Sequence, residues 1–465
     1  MKEVTIKDIV KICSGRLVCG QEDIVCHHFS KDTRQIEEGD IYVGIKGGNF
    51  DGSKFYEDAF AKGASACIIE NIEKEDLAKV KYADKAIVQV KDSIKALQQI
   101  ASYKRSLYQI PVIGITGSVG KTSTKDLVAG VVSKKYHVLK TEGNLNNHIG
   151  VPLTILGLEN HEALVVEMGM SALGEIRTLT NIVKPDIAII TNIGTSHIGD
   201  LGSRENILKA KLEIIEGLKE NGTLLINNDN DLLHKWYKKN KNKEKSYQVL
   251  TYGIECDSDI MAREIKLEED DSIFHTDING KDTTVYVPIG GTPFIYNSLA
   301  GILVGMLLKI DTESILEGIK YFKLTKNRMD IYVNKNKVTI IDGTYNASYD
   351  ALKPAIQYLA NKSGNKKIAM LGNILDLGEY EESLHEAVGE ELVKNKIDIL
   401  VTVGENMKYT IQKALELGMR KENIYVCKNN QEAIQILRKI MEPNDVVLVK
   451  ASHAMHFTEI VKEIK

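Results

Sequence analysis

The stretch Gly114-Ile115-Thr116-Gly117-Ser118-Val119-Gly120-Lys121-Thr122-Ser123 limits what this chain can fold into more than any other. It joins an apolar run at 111–115 to a segment of helical periodicity over 121–135. A glycine-rich turn between a strand and a helix lets backbone N–H groups surround an anion, and the helix N-terminus adds partial positive charge. The stretch therefore reads as a phosphate cradle for ATP. Gly117, Ser118, Val119 and Gly120 would wrap the phosphates, Lys121 would reach the β- and γ-phosphates, and the Thr122 hydroxyl would meet Mg²⁺. The general pattern G-x-x-x-x-G-K-[ST] puts a glycine at position 115, where this chain has Ile. The reading rests on the strand–loop–helix context, with Gly114 and Gly117 on either side of that place.

The surrounding pattern supplies the sheet such a loop needs. Short β-rich runs at 163–166, 187–190 and 223–226 alternate with helical periodicity, which argues for a parallel sheet covered by helices. Residues 260–288 alternate apolar and polar around Asn279-Gly280, a hairpin signal, and a helix is expected over 294–308. A second strand–helix series has runs at 338–341, 368–371, 399–403, 424–426 and 446–449, as in a small doubly wound domain. Before the loop, residues 1–83 mix short strands and helices, and a helix is expected over 93–107. The expected architecture is α/β with three domains. These are a small α/β N-terminal domain with a linker helix (1–109), a central P-loop parallel sheet with helices (110–326) and a Rossmann-like C-terminal domain (327–465). A length of 465 residues agrees with that number at about 150 residues per domain.

Charge narrows the partners. With 60 Lys+Arg against 64 Asp+Glu, the chain lacks the basic excess of a bulk nucleic-acid binder. The Lys-rich run 235–245 reads as a solvated helix end or loop. No run approaches the ~18 apolar residues of a membrane span, and residues 1–10 do not resemble a secretory signal. Six cysteines without C-x-x-C spacing fit reduced thiols, and Cys26-His27-His28 lacks a zinc-like ligand set. A cytoplasmic enzyme of small molecules is expected, with no nucleic acid and no membrane span.

Two polar residues stand at or just beyond strand ends, where open α/β sheets bind ligands. Glu167 ends the run 163–167, and His197 follows 188–196. A carboxylate and an imidazole there can hold Mg²⁺ against phosphates. Lys211, in Lys209-Ala210-Lys211-Leu212, reads from spacing alone as an ordinary lysine on a helix surface.

Taken together, the motifs resemble the Mur ligase family over most of the chain. Ser30-Lys31-Asp32-Thr33-Arg34, Gly39-Asp40-Ile41-Tyr42-Val43 and Gly47-Gly48-Asn49-Phe50-Asp51-Gly52 are similar to its uridine-nucleotide-binding domain. Thr116 to Thr122 matches the family's own form of the phosphate loop, and Thr141-Glu142-Gly143-Asn144-Leu145-Asn146-Asn147 resembles its substrate loop. The resemblance implies substrate contacts at Ser30, Thr33, Arg34, Asn49, Asp51, Asn144, Asn146 and Asn147. It implies Mg²⁺ ligands at Thr122, Glu167, His197 and a carbamylated Lys211. It also implies an adenine-side helix at Tyr296-Asn297-Ser298, a γ-phosphate contact at Arg328 and a ribose contact at Asp342. Lys121, Lys211, His197 and Arg328 are then the expected catalytic set. Two positions depart from the family pattern, Pro293 where His is common and His453 where Lys-Gly-Ser-Arg would end.

Similarity of 342–347 and 370–379 to the dipeptide-adding branch implies an ATP-dependent amide ligase acting through an acyl phosphate. It would join D-alanyl-D-alanine to UDP-N-acetylmuramoyl-tripeptide in cell-wall precursor synthesis, as a monomer. Two rivals stay open from the residues themselves: a ligase with another amine on the same core, and a nucleotide switch without ligase activity.

Overall fold

A computed structural model of the chain describes residues 3–48 and 50–465. Its centre is a seven-stranded, wholly parallel sheet. From one edge the strands run Ile260–Met261, Gln248–Gly253, Thr223–Asn227, Ile187–Ile190, Val112–Thr116, Ala163–Glu167 and Val138–Lys140. The four inner strands from Thr223–Asn227 to Ala163–Glu167 are buried residue by residue, which is why their sequences are unbroken apolar runs rather than alternating ones. Val112–Thr116 lies between strands that continue the chain in opposite directions across the sheet. Its carboxyl end therefore opens into the crevice where doubly wound sheets bind nucleotides.

Helix Lys121–Val132 follows that strand and packs against the apolar helix Thr292–Leu307 on one face of the sheet. The expected hairpin is present within a three-stranded sheet, Arg263–Leu267, Ser272–Ile278 and Lys281–Val287. Asn279 (φ 55°) and Gly280 (φ 78°) both take the left-handed turn conformation. Ile260–Met261 departs from the expected hairpin region and joins the central sheet in parallel instead. The Lys-rich run forms the end of helix Asp231–Asn240 and the loop after it.

On the N-terminal side, a five-stranded sheet runs Arg16–Cys19, Ala86–Gln89, Ala66–Ile69, Ile41–Val43 and Phe29–Ser30. Helix Ser93–Ser106 links it to the centre, where Arg105 donates to the carbonyls of Val183 (2.9 Å) and Tyr108 (2.8 Å). The C-terminal unit is a six-stranded sheet in the order Asp330–Val333, Thr339–Asp342, Val446–Lys450, Lys367–Gly372, Ile399–Val403 and Ile424–Cys427. Asp330–Val333 is an antiparallel edge strand that the apolar-run reading did not anticipate, because alternate residues along it are half-exposed.

The connector into this unit is pinned at both ends. The carboxylate of buried Asp126 accepts from Thr325 N and Oγ1 (both 2.8 Å) on the central side. Met329 N donates to Asp342 O (2.8 Å) on the C-terminal side. Between those anchors lie Lys326, Asn327 and Arg328, and Asn327 holds φ 62°.

Candidate active site

A cavity of about 940 Å³ opens where the central and C-terminal units meet. The phosphate loop forms its floor. Gly117 has φ 148°, and a Cβ there would sit 1.9 Å from Thr191 Oγ1, so only glycine lets the loop lie against the neighbouring strand. Gly120 (φ 80°) turns the chain into the helix. Val119 N donates to Asn192 Oδ1 (3.0 Å) and Ser118 N to Asn192 O (3.1 Å), so the next strand's loop braces the cradle. Lys121 Nζ folds over it, donating to Gly117 O (2.8 Å) and Ser118 O (3.1 Å). Burial holds its pKa below the usual lysine value.

One carboxylate organises the rest. Glu167 is 1% exposed at the end of its strand. Its Oε2 accepts from Thr122 Oγ1 (2.8 Å) and its Oε1 from Asn146 Nδ2 (2.8 Å). Arg328 Nη2 in turn donates to Thr122 Oγ1 (2.7 Å), while its guanidinium carbon stacks 3.5 Å from the Tyr345 ring centre. A residue of the interdomain connector thus touches the phosphate loop directly.

Lys211 is not on a helix surface: it is 1% exposed, within electrostatic reach of Lys121 and Glu167. Periodicity misplaced it because its helix is short and enclosed along the side that bears Ile207, Ala210 and Lys211. Among the described residues no hydrogen bond or ion pair holds its ammonium, and burial pushes its pKa well below the ordinary lysine value. His197 lines the cavity with φ 62°, and burial, then Lys121 and Lys211, lowers its pKa toward the neutral imidazole. Asn297 lines the cavity too and accepts from Thr124 Oγ1 (2.9 Å). The neighbouring Tyr296 donates to Asp229 (2.8 Å).

Asp342 sits apart from these groups. Its carboxylate accepts from Thr344 N (3.0 Å) and Oγ1 (2.6 Å), and Gly343 rather than Asp342 lines the cavity. Asn147 lines the cavity and its Oδ1 accepts from Gly150 N (2.8 Å), while the Asn144 carbonyl accepts from Asn146 N (2.7 Å). Ser30, Thr33, Arg34 and Asp51 lie in the N-terminal unit and do not line this cavity. There Ser30 Oγ bonds Asp32 O (3.1 Å), Arg34 pairs with Asp32 (2.6 Å), Thr33 O accepts from Lys62 (3.0 Å), and Asp51 accepts from Asn71 (3.0 Å). Asn49 lies outside the described residues.

Sequence reasoning assigned no role to Lys450, which the fold buries at the cavity wall. Its Nζ donates to Gly343 O (3.1 Å) and Asn346 O (2.7 Å), tying together the loop that carries Tyr345. Burial, helped by Arg328, lowers its pKa to about 7. Unfolded, this lysine keeps its proton until its ordinary value of 10.5, so between about pH 7 and 10.5 the unfolded chain binds more protons. The group therefore makes stability rise with pH across that window, by at most about 1.4 kcal/mol per pH unit. The difference in Tm between the unaltered protein and Lys450→Met is expected to grow in favour of the unaltered protein from pH 7 to 9.5. A difference flat with pH would contradict it.

Fold and site define a three-unit P-loop nucleotide-binding protein, with its phosphate loop facing a third unit across a shared cleft. Family models match in the same order along the chain. They are "Mur ligase family, catalytic domain" at 25–105, "Mur ligase middle domain" at 115–305 and "Mur ligase, glutamate ligase domain" at 327–453. The chain belongs to the Mur ligase family. It is 37% identical to the UDP-N-acetylmuramoyl-tripeptide–D-alanyl-D-alanine ligase of Bacillus subtilis, over 99% of this chain and 98% of that one. Among solved structures, MurF from Acinetobacter baumannii superposes with a TM-score of 0.89 at 27% identity, covering 100% of this chain and 99% of the other. MurF ligase from Thermotoga maritima in complex with ADP gives a TM-score of 0.80 at 28% identity, over 95% and 98%.

Proposed function

We propose that this chain is an ATP-dependent amide ligase that joins D-alanyl-D-alanine to the terminal carboxylate of UDP-N-acetylmuramoyl-tripeptide, releasing ADP and phosphate, in peptidoglycan precursor synthesis. Full-length similarity to ligases of that name supports the substrates. The observation that carries the chemistry is the buried Glu167, linked to the phosphate loop through Thr122 and with Lys121, Lys211 and Arg328 in its field.

In this reading the three segments divide the work. Residues 1–109 hold the uridine nucleotide through Ser30, Thr33, Arg34, Asn49 and Asp51. Residues 110–326 bind ATP, and residues 327–465 present the amine. The acceptor carboxylate attacks the γ-phosphorus, the bond to the bridging oxygen breaks, and ADP leaves an acyl phosphate. The dipeptide amine then attacks the carbonyl carbon, and the tetrahedral intermediate expels phosphate as the amide forms. Two anions must meet in the first step, so positioning and charge neutralisation decide its rate. Lys121 and Arg328 supply fixed positive charge at the phosphate loop, and Asn144, Asn146 and Asn147 orient the acceptor beside Glu167. Asn297, which lines the cavity, is assigned to the adenine side, and Asp342, which does not line it, is assigned to the ribose on the family pattern alone.

Thr122, Glu167, His197 and a carbamylated Lys211 form an oxygen-rich set with one imidazole, which suits Mg²⁺. These residues would hold Mg²⁺, which would supply charge neutralisation for phosphoryl transfer. Burial lowers the pKa of both His197 and Lys211, which fits that role, since it disfavours a competing cation at the metal. No helix among the described residues is long and apolar enough to cross a membrane. A cytoplasmic monomer working on small molecules completes the proposal.

The test is phosphate release from ATP with purified UDP-N-acetylmuramoyl-tripeptide, with and without D-alanyl-D-alanine. Release that requires the dipeptide is expected. Release independent of it would overturn the assignment.

A further inference from the structure

The loop between the strand Ile187–Ile190 and His197 is held from two sides. On the central side Gly194 N donates to Ser118 Oγ (2.9 Å), Ser196 Oγ to Ser118 O (3.4 Å) and Thr191 Oγ1 to Val119 O (2.7 Å). Arg204 Nη2 donates to Ile193 O (2.7 Å) in the same loop. The other side is held from the C-terminal unit. Asp350, in the first turn of helix Tyr349–Asn361, sends one carboxylate oxygen across the cleft to accept from Thr195 N (2.6 Å) and Thr195 Oγ1 (2.7 Å). A Cβ on Gly194 would lie 2.3 Å from that oxygen, so the missing side chain is what admits the carboxylate.

Asp350 makes no hydrogen bond within its own helix, although a first-turn carboxylate is well placed to do so. Its bonds instead reach the loop that braces the phosphate cradle and ends at His197. A carboxylate bonded to two N–H and O–H donors in a half-buried cleft is a strong, directional contact.

We propose that Asp350 is a positioning residue: by docking on Thr195 it sets loop 194–197 and makes phosphoryl transfer depend on the C-terminal unit being in place. This rests on the proposed function above for the role of His197. The physical consequence is that an acyl phosphate forms only when the unit that presents the amine already covers the site. Water then has less access to the intermediate.

Four variants of the full chain test it: Asp350→Ala, Asp350→Asn, Thr195→Val and the double variant Asp350→Ala with Thr195→Val. Displacing a reacting group by an ångström can cost about 10²-fold, so Asp350→Ala is expected to lower kcat at least about tenfold. Its KM for the dipeptide and its Kd for ADP, by calorimetry, should stay within about threefold, which also reports that the variant is folded. Asp350→Asn keeps an acceptor oxygen and should restore most of kcat. The double variant should match Asp350→Ala rather than multiply the two losses, because Thr195 Oγ1 acts through Asp350. Energy transfer between dyes on the central and C-terminal units, with a non-hydrolysable ATP analogue, should show a larger mean separation in Asp350→Ala. That measurement does not depend on which amine is ligated, so failure of the substrate assignment and failure of this role are distinguishable. A kcat within twofold of the unaltered protein, a loss confined to the dipeptide KM, no recovery with Asp350→Asn, or unchanged separation would each overturn the role.

Discussion

Replacing Lys211 with Ala is expected to lower ligation by at least about 10²-fold, with acetate or propionate restoring part of it and bicarbonate restoring none. The argument begins with burial. A lysine 1% exposed, with no hydrogen bond or ion pair among the described residues and with Lys121 nearby, is held toward its neutral amine. A neutral amine adds to CO₂: the N–C bond forms, one proton leaves to solvent and a carbamate remains. The product replaces an unpaired buried amine with an anion facing Lys121. It also supplies an anionic oxygen ligand, which Mg²⁺ takes in preference to an amine nitrogen. Alanine leaves space that a short carboxylate can enter, whereas bicarbonate has no amine left to modify. Independently of turnover, ¹³C-bicarbonate should give the unaltered protein a carbamate NMR resonance that Lys211→Ala lacks. Full activity in that variant, or no such resonance in the unaltered protein, would end the proposal.

Glu167→Gln should be comparably severe, with kcat falling about 10²- to 10³-fold and nucleotide binding losing its dependence on Mg²⁺. Two changes combine. The negative charge that offsets Lys121 and Arg328 disappears from a buried site. The amide also brings an NH₂ group to a place where both oxygens now accept, one from Asn146 (2.8 Å) and one from Thr122 (2.8 Å). One donor then faces another, at a cost of about 1–3 kcal/mol. Calorimetry with ADP separates the effects: affinity in EDTA should change little, while the gain on adding Mg²⁺ should vanish. A variant that keeps that gain would show that Glu167 does not serve the metal.

Much of the architecture was legible because buried parallel strands are short apolar runs. Ile187–Ile190 and Ile399–Val403 fall where the runs were read, and Val112–Thr116 and Ala163–Glu167 lie within a residue of them. Two edge strands were not legible, although Ile424–Cys427, also at an edge, coincides with the run read at 424–426. Val138–Lys140 is half-buried throughout, and Asp330–Val333 alternates between half-buried and exposed, so neither forms an apolar run. The site divided along similar lines. The phosphate loop and Glu167 could be read from local order, since glycine spacing and a strand-end carboxylate are local features. Lys211 could be picked only through the family pattern, because its burial comes from elements distant in the chain. Lys450 and Asp350 were missed as functional groups, since nothing in their neighbours announces a contact to Asn346 or across the cleft to Thr195.

By itself the amino-acid sequence determined the strand–helix alternation, the phosphate loop and the kinship with amide ligases, because hydrogen-bonding period and glycine placement act over a few residues. The tertiary structure alone decided which lysines lose their water, how Arg328 reaches Thr122 and how Asp350 reaches Thr195. Desolvation and contact between units depend on atoms brought together from remote parts of the chain, and no local pattern encodes them.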